Sequence, residues 1–330
     1  MRGTPFDHAL SILAQSERPL PQVWLREFSD LSPEQIHQLL DLWPRLSRNR
    51  KYTFLDALRA LFDKETLVSF EAIGRALLDD ADGGVRWRAL RLLEESLDVR
   101  LVPLLLRLLA QDGDSNVRAG AADLLGAFVY EGEVDKLPSH LLHQIEEALL
   151  EAVEHDADVG VRRGALIALG YSSRPEVETL IRAAYEQDDP EWVAAALFAM
   201  ARSANPQWQD YVLPMLSSEH VNVRRSAVKA AGELGLSKAR PILLQMLEQE
   251  PEEEVYRSAI WALSQIGGEN VRLYLETLLE EAENEELEKL LEDALDNLDF
   301  TEDFSQFDLF RFDVEDLDFP LEEDEDSFDE

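Results

Sequence analysis

Cysteine is missing from all 330 residues, which excludes disulfides, thiolate metal sites and thiol nucleophiles together and suits a reducing compartment. Basic residues are scarce: 31 Lys and Arg stand against 68 Asp and Glu, a formal charge of −37. A field of that sign repels phosphate backbones and anionic lipid, so neither nucleic acid nor a membrane is expected as partner. Long apolar runs are missing as well. No stretch reaches the ~18–20 residues of a membrane span, and MRGTPFDHALSILAQSERPL has no continuous apolar segment of the signal-peptide kind. A soluble, unexported, cytoplasmic protein is the expectation. Groups for catalysis are equally thin. No Gly-rich loop precedes a Lys, and Gly83-Gly84 and Gly267-Gly268 fit turns between helices. No nucleophile stands with a base, and the carboxylates are scattered rather than paired. HLLH places His140 and His143 near Glu146 and Glu147, but it lacks the Glu of a His-Glu-x-x-His zinc site, so these read as surface side chains. No catalytic residue, metal or cofactor is expected.

What the chain does have is a refrain. DSNVRAGAADLLG (114–126), DVGVRRGALIALG (158–170) and HVNVRRSAVKAAG (220–232) share Val-Arg, then Ala, then a terminal Gly. The Val position is filled by Val85, Val117, Val161, Trp192, Val223 and Val255, at steps of 32, 44, 31, 31 and 32 residues. Ala follows four residues later without exception, at Ala89, Ala121, Ala165, Ala196, Ala227 and Ala259. A small residue held at one helical face lets a neighbouring helix approach closely. Between the refrains lie stripes such as LVPLLLRLLAQ and ARPILLQMLEQ, apolar at the helical period. Each unit therefore reads as helix, short turn, helix, with Asp-rich turns capping the second helix. The step of 44 carries an insertion around 127–140, expected to lengthen a loop and the start of the next helix. SPEQIHQLLDLW carries a capping box of Ser32 and Gln35 with Pro33 at the first helical position.

A helix pair this short cannot bury both faces alone, but stacked pairs share one core. The expected fold is all-α: a right-handed α-solenoid of about seven to eight helix pairs. Residues 1–47 form an N-terminal helical cap, residues 48–298 the repeat array, and residues 299–330 a tail. That tail holds fifteen acids and one base. Such charge density opposes a packed core, so disorder is expected there, yet Phe304, Phe307, Phe310, Phe312 and Phe319 exceed what a plain solubility tail needs.

The refrain resembles the short HEAT-type repeat named after phycobilisome lyases, over roughly residues 50 to 298. The resemblance implies a solenoid whose second helices line a concave face, and it implies little about activity. Relatives of this kind include bilin lyase subunits and a metal-dependent hydroxylase. The hydroxylases use His-Glu dipeptides to bind iron. None of His8, His37, His140, His143, His155 or His220 is followed by Glu here, so that activity is not implied.

Two sets of side chains stand out. The first comprises Asp82/Arg86, Asp114/Arg118 and Asp158/Arg162, with Arg224 at the same place. These are expected to form a structural ladder, Arg bonding carboxylates and carbonyls in the turns of its own and adjacent units. Val193 and Tyr256 break it, leaving Asp189 and Glu252 without a local partner. The second set lies two and six residues after the Val position, opposite the core at ~100° per residue. It reads Trp87, Ala119, Arg163, Ala194, Arg225 and Arg257, then Arg91, Asp123, Ile167, Phe198, Lys229 and Trp261. Arg163, Ile167, Phe198, Arg225, Lys229, Arg257 and Trp261 would make a basic, apolar strip in an acidic protein. The plainer alternative is that these side chains only cover the next helix.

The expected function is a non-enzymatic adaptor that grips a protein or peptide along the concave face, with the acidic, aromatic tail as an intramolecular ligand of the strip. Two alternatives stay open. One is a chromophore lyase or chaperone subunit, with tetrapyrrole propionates on Arg163 and Arg225 and stacking on Trp261. The other is a tail that recruits a basic partner.

Overall fold

The computed structural model describes residues 4–15 and 20–306, with side chains through Thr301. Among the described residues the chain is all-α: eighteen α-helices, five short 3₁₀ segments and no strand. Helices α1 (Pro5–Gln15), α2 (Gln22–Leu25), α3 (Pro33–Leu42) and α4 (Arg48–Phe62) open the chain. Three pairs follow: α5 (Glu71–Leu77) with α6 (Gly83–Arg91), α7 (Val102–Gln111) with α8 (Ser115–Glu133), and α9 (Ser139–His155) with α10 (Val159–Leu169). Two more are α11 (Pro175–Tyr185) with α12 (Pro190–Arg202) and α13 (Gln209–Met215) with α14 (Val221–Glu233). The last two are α15 (Arg240–Gln249) with α16 (Glu253–Ile266) and α17 (Val271–Glu280) with α18 (Glu285–Gln306). The two members of each pair from α5 to α18 pack on one another. Seven pairs behind α3 and α4 match the expected repeat count.

The fold divides into two compact units, Met1–Leu234 and Gly235–Glu330. In the first, the second helices form the continuous layer: α4 packs on α6, α6 on α8, α8 on α10, α10 on α12 and α12 on α14. The alanines of the refrain explain this. Ala89, Ala121, Ala165, Ala196 and Ala227 are wholly buried, as are Val85, Val117 and Val161 beside them. The terminal glycines serve the same contact. A Cβ on Gly126 would stand 3.1 Å from the Ala168 Cα, and one on Gly170 would stand 2.7 Å from the Ala199 carbonyl oxygen. The helices start where the turns cap them. Asp82, Asp114, Asp158 and Asp189 each accept from the backbone N–H two residues on, at 2.8–2.9 Å. Ser32 and Gln35 form the capping box, with the Ser32 N–H donating to Gln35 Oε1 at 2.9 Å.

At the front, Phe6, Phe28, Phe54 and Trp43 meet edge-to-face, and Arg50, only 2% exposed, donates through Nε to the Leu13 carbonyl at 3.2 Å. In the second unit, α16 packs on α15, α17 and α18 around Ala259, Leu263, Leu275, Leu291 and Leu298.

Three expectations need correction. The insertion does not lengthen a loop: residues 127–133 extend α8 to 19 residues, α9 runs for 17, and only 134–138 connect them. Gly83 and Gly84 are not a turn but the first two residues of α6, where a Cβ on Gly84 would strike the Tyr52 hydroxyl. The helical chain does not stop at Leu298, because α18 continues to Gln306. Phe307, Phe310, Phe312 and Phe319 lie outside the described residues, as does the side chain of Phe304.

Candidate functional site

The Arg of the refrain works across repeats, and its partner is not the Asp that shares its refrain. Arg86 grips Asp112 through Nε (2.7 Å) and Nη2 (2.6 Å), and donates through Nη1 to the Asp80 carbonyl at 2.7 Å. Arg118 does the same one repeat later, with Asp156 (2.7 and 2.8 Å) and the Asp112 carbonyl (2.9 Å). The carboxylate that receives each Arg sits two residues before the capping Asp and also accepts from its N–H: Asp112 from Asp114 at 2.9 Å, Asp156 from Asp158 at 2.8 Å. Asp82, Asp114 and Asp158 are thus helix caps, and Asp112 and Asp156 are the rungs. Burial raises the Asp112 pKa, but hydrogen bonds from Arg86 and the Asp114 N–H, with both Arg charges, hold it below the carboxylate range. Asp156 is held low first by Arg118 against the same desolvation.

The signal for these rungs is Asp-x-Asp, and it is missing ahead of Asp189. Gln187 occupies the carboxylate position ahead of Asp189. Arg162 accordingly has a buried Nε without a hydrogen-bond partner, and its guanidinium lies 5.8 Å from the Trp192 ring centroid. Arg224 donates to the Ser218 carbonyl at 2.9 Å, the carbonyl contact of the other rungs. Asp189 is not without a partner, as it caps Glu191 and lies 3.8 Å from Arg163 Nη1.

The exposed side of the second-helix layer carries cations set against rings. Lys229 Nζ of α14 stands 5.5 Å from the Phe198 ring of α12. Ile167 is half-buried, and its carbonyl accepts from Arg202 at 3.1 Å. Arg202 lies 4.9 Å from the Tyr171 ring and 3.7 Å from Asp123, and Tyr171 meets Tyr130 at 5.4 Å. Arg163 and Arg225 are half-buried on α10 and α14. Five of the seven strip residues therefore share the layer of the first unit. Arg257 and Trp261 belong to α16 of the second unit, where Arg257 is 3.6 Å from Glu253 and Trp261 is 41% exposed.

The same side is basic and aromatic near its other end, beyond the expected strip. Arg88 lies 3.9 Å from the Tyr52 ring and 5.2 Å from that of Trp87, and Arg91 is also 5.2 Å from Trp87. Arg48 joins Tyr52 and Asp82, whose carboxylate accepts from the Tyr52 hydroxyl at 2.7 Å. Burial raises the Tyr52 pKa, and the hydrogen bond to Asp82 adds to that. Between α6 and α8 a groove of about 180 Å³ opens, bordered by Trp87, Leu90, Arg91, Glu94, Gly120 and Asp123. A larger groove, about 590 Å³, lies between the ends of α7 and α9. Leu109, Ala148 and Ala152 line it beside Gln111, Asp112, Arg118, Glu151, His155 and Asp156, so its polar rim mixes acids and bases.

His140 and His143 are exposed, and His143 lies 4.0 Å from Glu147. Glu146 is buried instead and accepts from the Ser172 hydroxyl at 2.5 Å. Among the described residues no group of three or more His, Asp or Glu is placed to hold a metal, and no helix is long and apolar enough to cross a membrane.

The family of HEAT repeats matches residues 70–144, 180–264 and 210–296, more than half of the chain. No curated protein matches the sequence. Among solved structures, the complex of CpcE and CpcF of phycocyanin lyase from Nostoc sp. PCC7120 is similar at 21% identity and TM-score 0.42, over 58% of this chain and 74% of that one. Human deoxyhypusine hydroxylase is similar at 17% identity and TM-score 0.36, over 89% and 96%. The Escherichia coli protein YIBA is similar at 16% identity and TM-score 0.42, over 86% and 99%.

Proposed function

Because the chain belongs to the HEAT-repeat family, we propose that it is a non-enzymatic adaptor that binds a protein or peptide on the exposed side of its second-helix layer. One observation carries this reading. In a chain of charge −37, several cations on this side lie against rings: Arg88 and Arg91 on Trp87, Arg202 on Tyr171, Lys229 on Phe198. Trp and Tyr supply large contact area at low entropic cost, and with Arg they anchor interfaces out of proportion to their number. A partner presenting acidic and aromatic side chains fits such a surface. The chain's own acidic, phenylalanine-rich C-terminal residues have that composition and compete for it.

Peptide display against the full chain tests the reading. Peptides rich in Asp, Glu and Phe should be enriched. Phe198→Ala and Lys229→Glu should each weaken the selected peptides at least several-fold while the melting temperature stays within a few degrees. Arg107→Glu, on α7 of the first-helix layer, should leave binding unchanged. Enrichment that is indifferent to Phe198 and Lys229 counts against the reading.

A further inference from the structure

We infer that one face of α17, in the second unit, is a docking groove for a short amphipathic helix of a partner protein, with Lys and Arg flanking that helix's apolar side. This goes beyond the adaptor reading and does not depend on it, because it gives the chain a contact surface of the opposite charge preference. A groove of about 360 Å³ runs along α17 from its N-cap Asn270 to its C-cap Glu281, lined between them by Leu273, Tyr274, Thr277 and Leu278. That is more than twice the ~150 Å³ of an apolar cavity that takes a benzene ring. The lining positions recur at steps of three and four residues over about 17 Å of helix. A second helix laid alongside seats its own apolar side chains at that spacing.

Leu273 is out of step with the earlier repeats. Their first helices carry a buried residue at Ile181, Val212 and Leu243, as α17 does at Leu275, and the residue two before it faces solvent. Thr179, Asp210 and Pro241 fill that place in α11, α13 and α15, whereas α17 puts a Leu there, 65% exposed. A repeat array stays soluble by keeping the outer surface of its end polar. Contiguous apolar side chains left open on the last first helix therefore mark an interaction surface.

Charge selects the partner. The lining holds one acid, Glu281, and no base. Residues 269–290 hold eight acids against Arg272 and Lys289. Arg272 is turned to Asp299 of α18, and Arg240 of α15 donates to the Gly267 carbonyl at 2.6 Å. Glu248 of α15 stands beside Tyr274, whose pKa is raised first by burial and then by that charge. Among the described residues Glu248, Glu269, Glu276, Glu280 and Glu281 have no ion pair. Leu and Tyr side chains thus sit among uncompensated carboxylates, and a helix with Leu along one side and Lys or Arg beside it complements both. The chain's own acidic tail has the wrong sign for this face, and a second copy meeting it face to face would set acid against acid.

The test is a titration of the full chain into a fluorescent synthetic peptide of about five helical turns, with Leu at i, i+3, i+4 and i+7 and Lys between. A scrambled peptide of the same composition lacks the apolar side, and a third peptide carries Glu for Lys. By anisotropy, the first should bind about tenfold more tightly than either control. Leu273→Ser and Glu281→Lys should each weaken it about fivefold or more with unchanged melting curves. Glu154→Lys, an exposed acid on α9, and Phe198→Ala should leave it within about twofold. Equal binding of the ordered and scrambled peptides, or indifference to both α17 substitutions, overturns the assignment. So does a dimer in sedimentation velocity that Leu273→Ser dissolves, since a second copy would then cover the face. The adaptor reading is judged by acidic peptides and their dependence on Phe198 and Lys229, so either proposal can fail while the other stands.

Discussion

At the scale of single residues, the rung is the device that repeats. Asp112 accepts two hydrogen bonds from Arg86 and one from the Asp114 N–H, with its side chain only 4% exposed. Asp112→Ala leaves a largely buried guanidinium without its carboxylate, bonded only to the Asp80 carbonyl, and should cost about 2–4 kcal/mol in denaturant unfolding. The failed rung makes the converse prediction: Gln187→Asp restores the Asp-x-Asp signal, gives Arg162 a carboxylate, and should stabilise by about 0.5–2 kcal/mol. An unchanged melting temperature would refute that register. The rungs also set a pH dependence. Asp112 and Asp156 have depressed pKa values in the folded chain, so their contribution is complete above the unfolded carboxylate value of about 3.9 and is lost as pH falls through the lower folded values. Stability should decline below about pH 4, and less steeply in Asp112→Asn. The sequence made the Arg row and the turn acids legible, because spacing alone exposes a repeat. It did not tell which Asp receives which Arg: Asp80, Asp112 and Asp156 stand next to the caps, and only the close approach of successive turns separates the two roles.

At the scale of helices, small residues decide how the second-helix layer stacks. Ala121 and Ala165 are wholly buried where α8 and α10 meet their neighbours. Leu at either position should overpack the contact and cost about 1–3 kcal/mol. Gly170 gives a sharper contrast. Its backbone is ordinary helical, so no conformational demand requires Gly, yet a Cβ would meet the Ala199 backbone at 2.7–2.8 Å. Gly170→Ala should destabilise by more than about 1 kcal/mol, whereas Gly113→Ala, with nothing within 4 Å of its Cβ, should stay within about 0.5. Equal effects in thermal melts would contradict the stacking account. The refrain's Val, Ala and Gly gave these contacts away, since each is the residue a close helix approach needs at that place. The insertion was misread because Gly132 and Glu131–Glu133 resemble loop composition, while Phe128, Val129 and the buried Gly132 keep the helical face going to Glu133.

At the scale of the whole molecule, the periodicity tells which residues share the second-helix layer but not how far the contacts between its cations and rings extend. Counting from the Val position placed Arg163, Ile167, Phe198, Arg225 and Lys229 on one layer, yet Arg202, Tyr171 and Tyr130 lie off that count and join through cross-repeat contacts. Trp87 and Arg91 were on the count, but their groove depends on Gly120 of the next helix. The acidity of the chain gives the proposed binding side its contrast, because the chain as a whole repels acidic ligands. Deleting residues 307–330 should tighten binding of an acidic, Phe-containing peptide about tenfold at low salt, with the gain shrinking as ionic strength rises. Calorimetric titration reads both. The most direct measurement is hydrogen exchange of the full chain with Phe307, Phe310, Phe312 and Phe319 changed to Ser, with and without a synthetic peptide of residues 304–319. Slowed exchange in α6, α8, α10, α12 and α14 is the predicted result, whereas protection confined to the groove between α7 and α9, or none at all, would contradict a binding side on the second-helix layer.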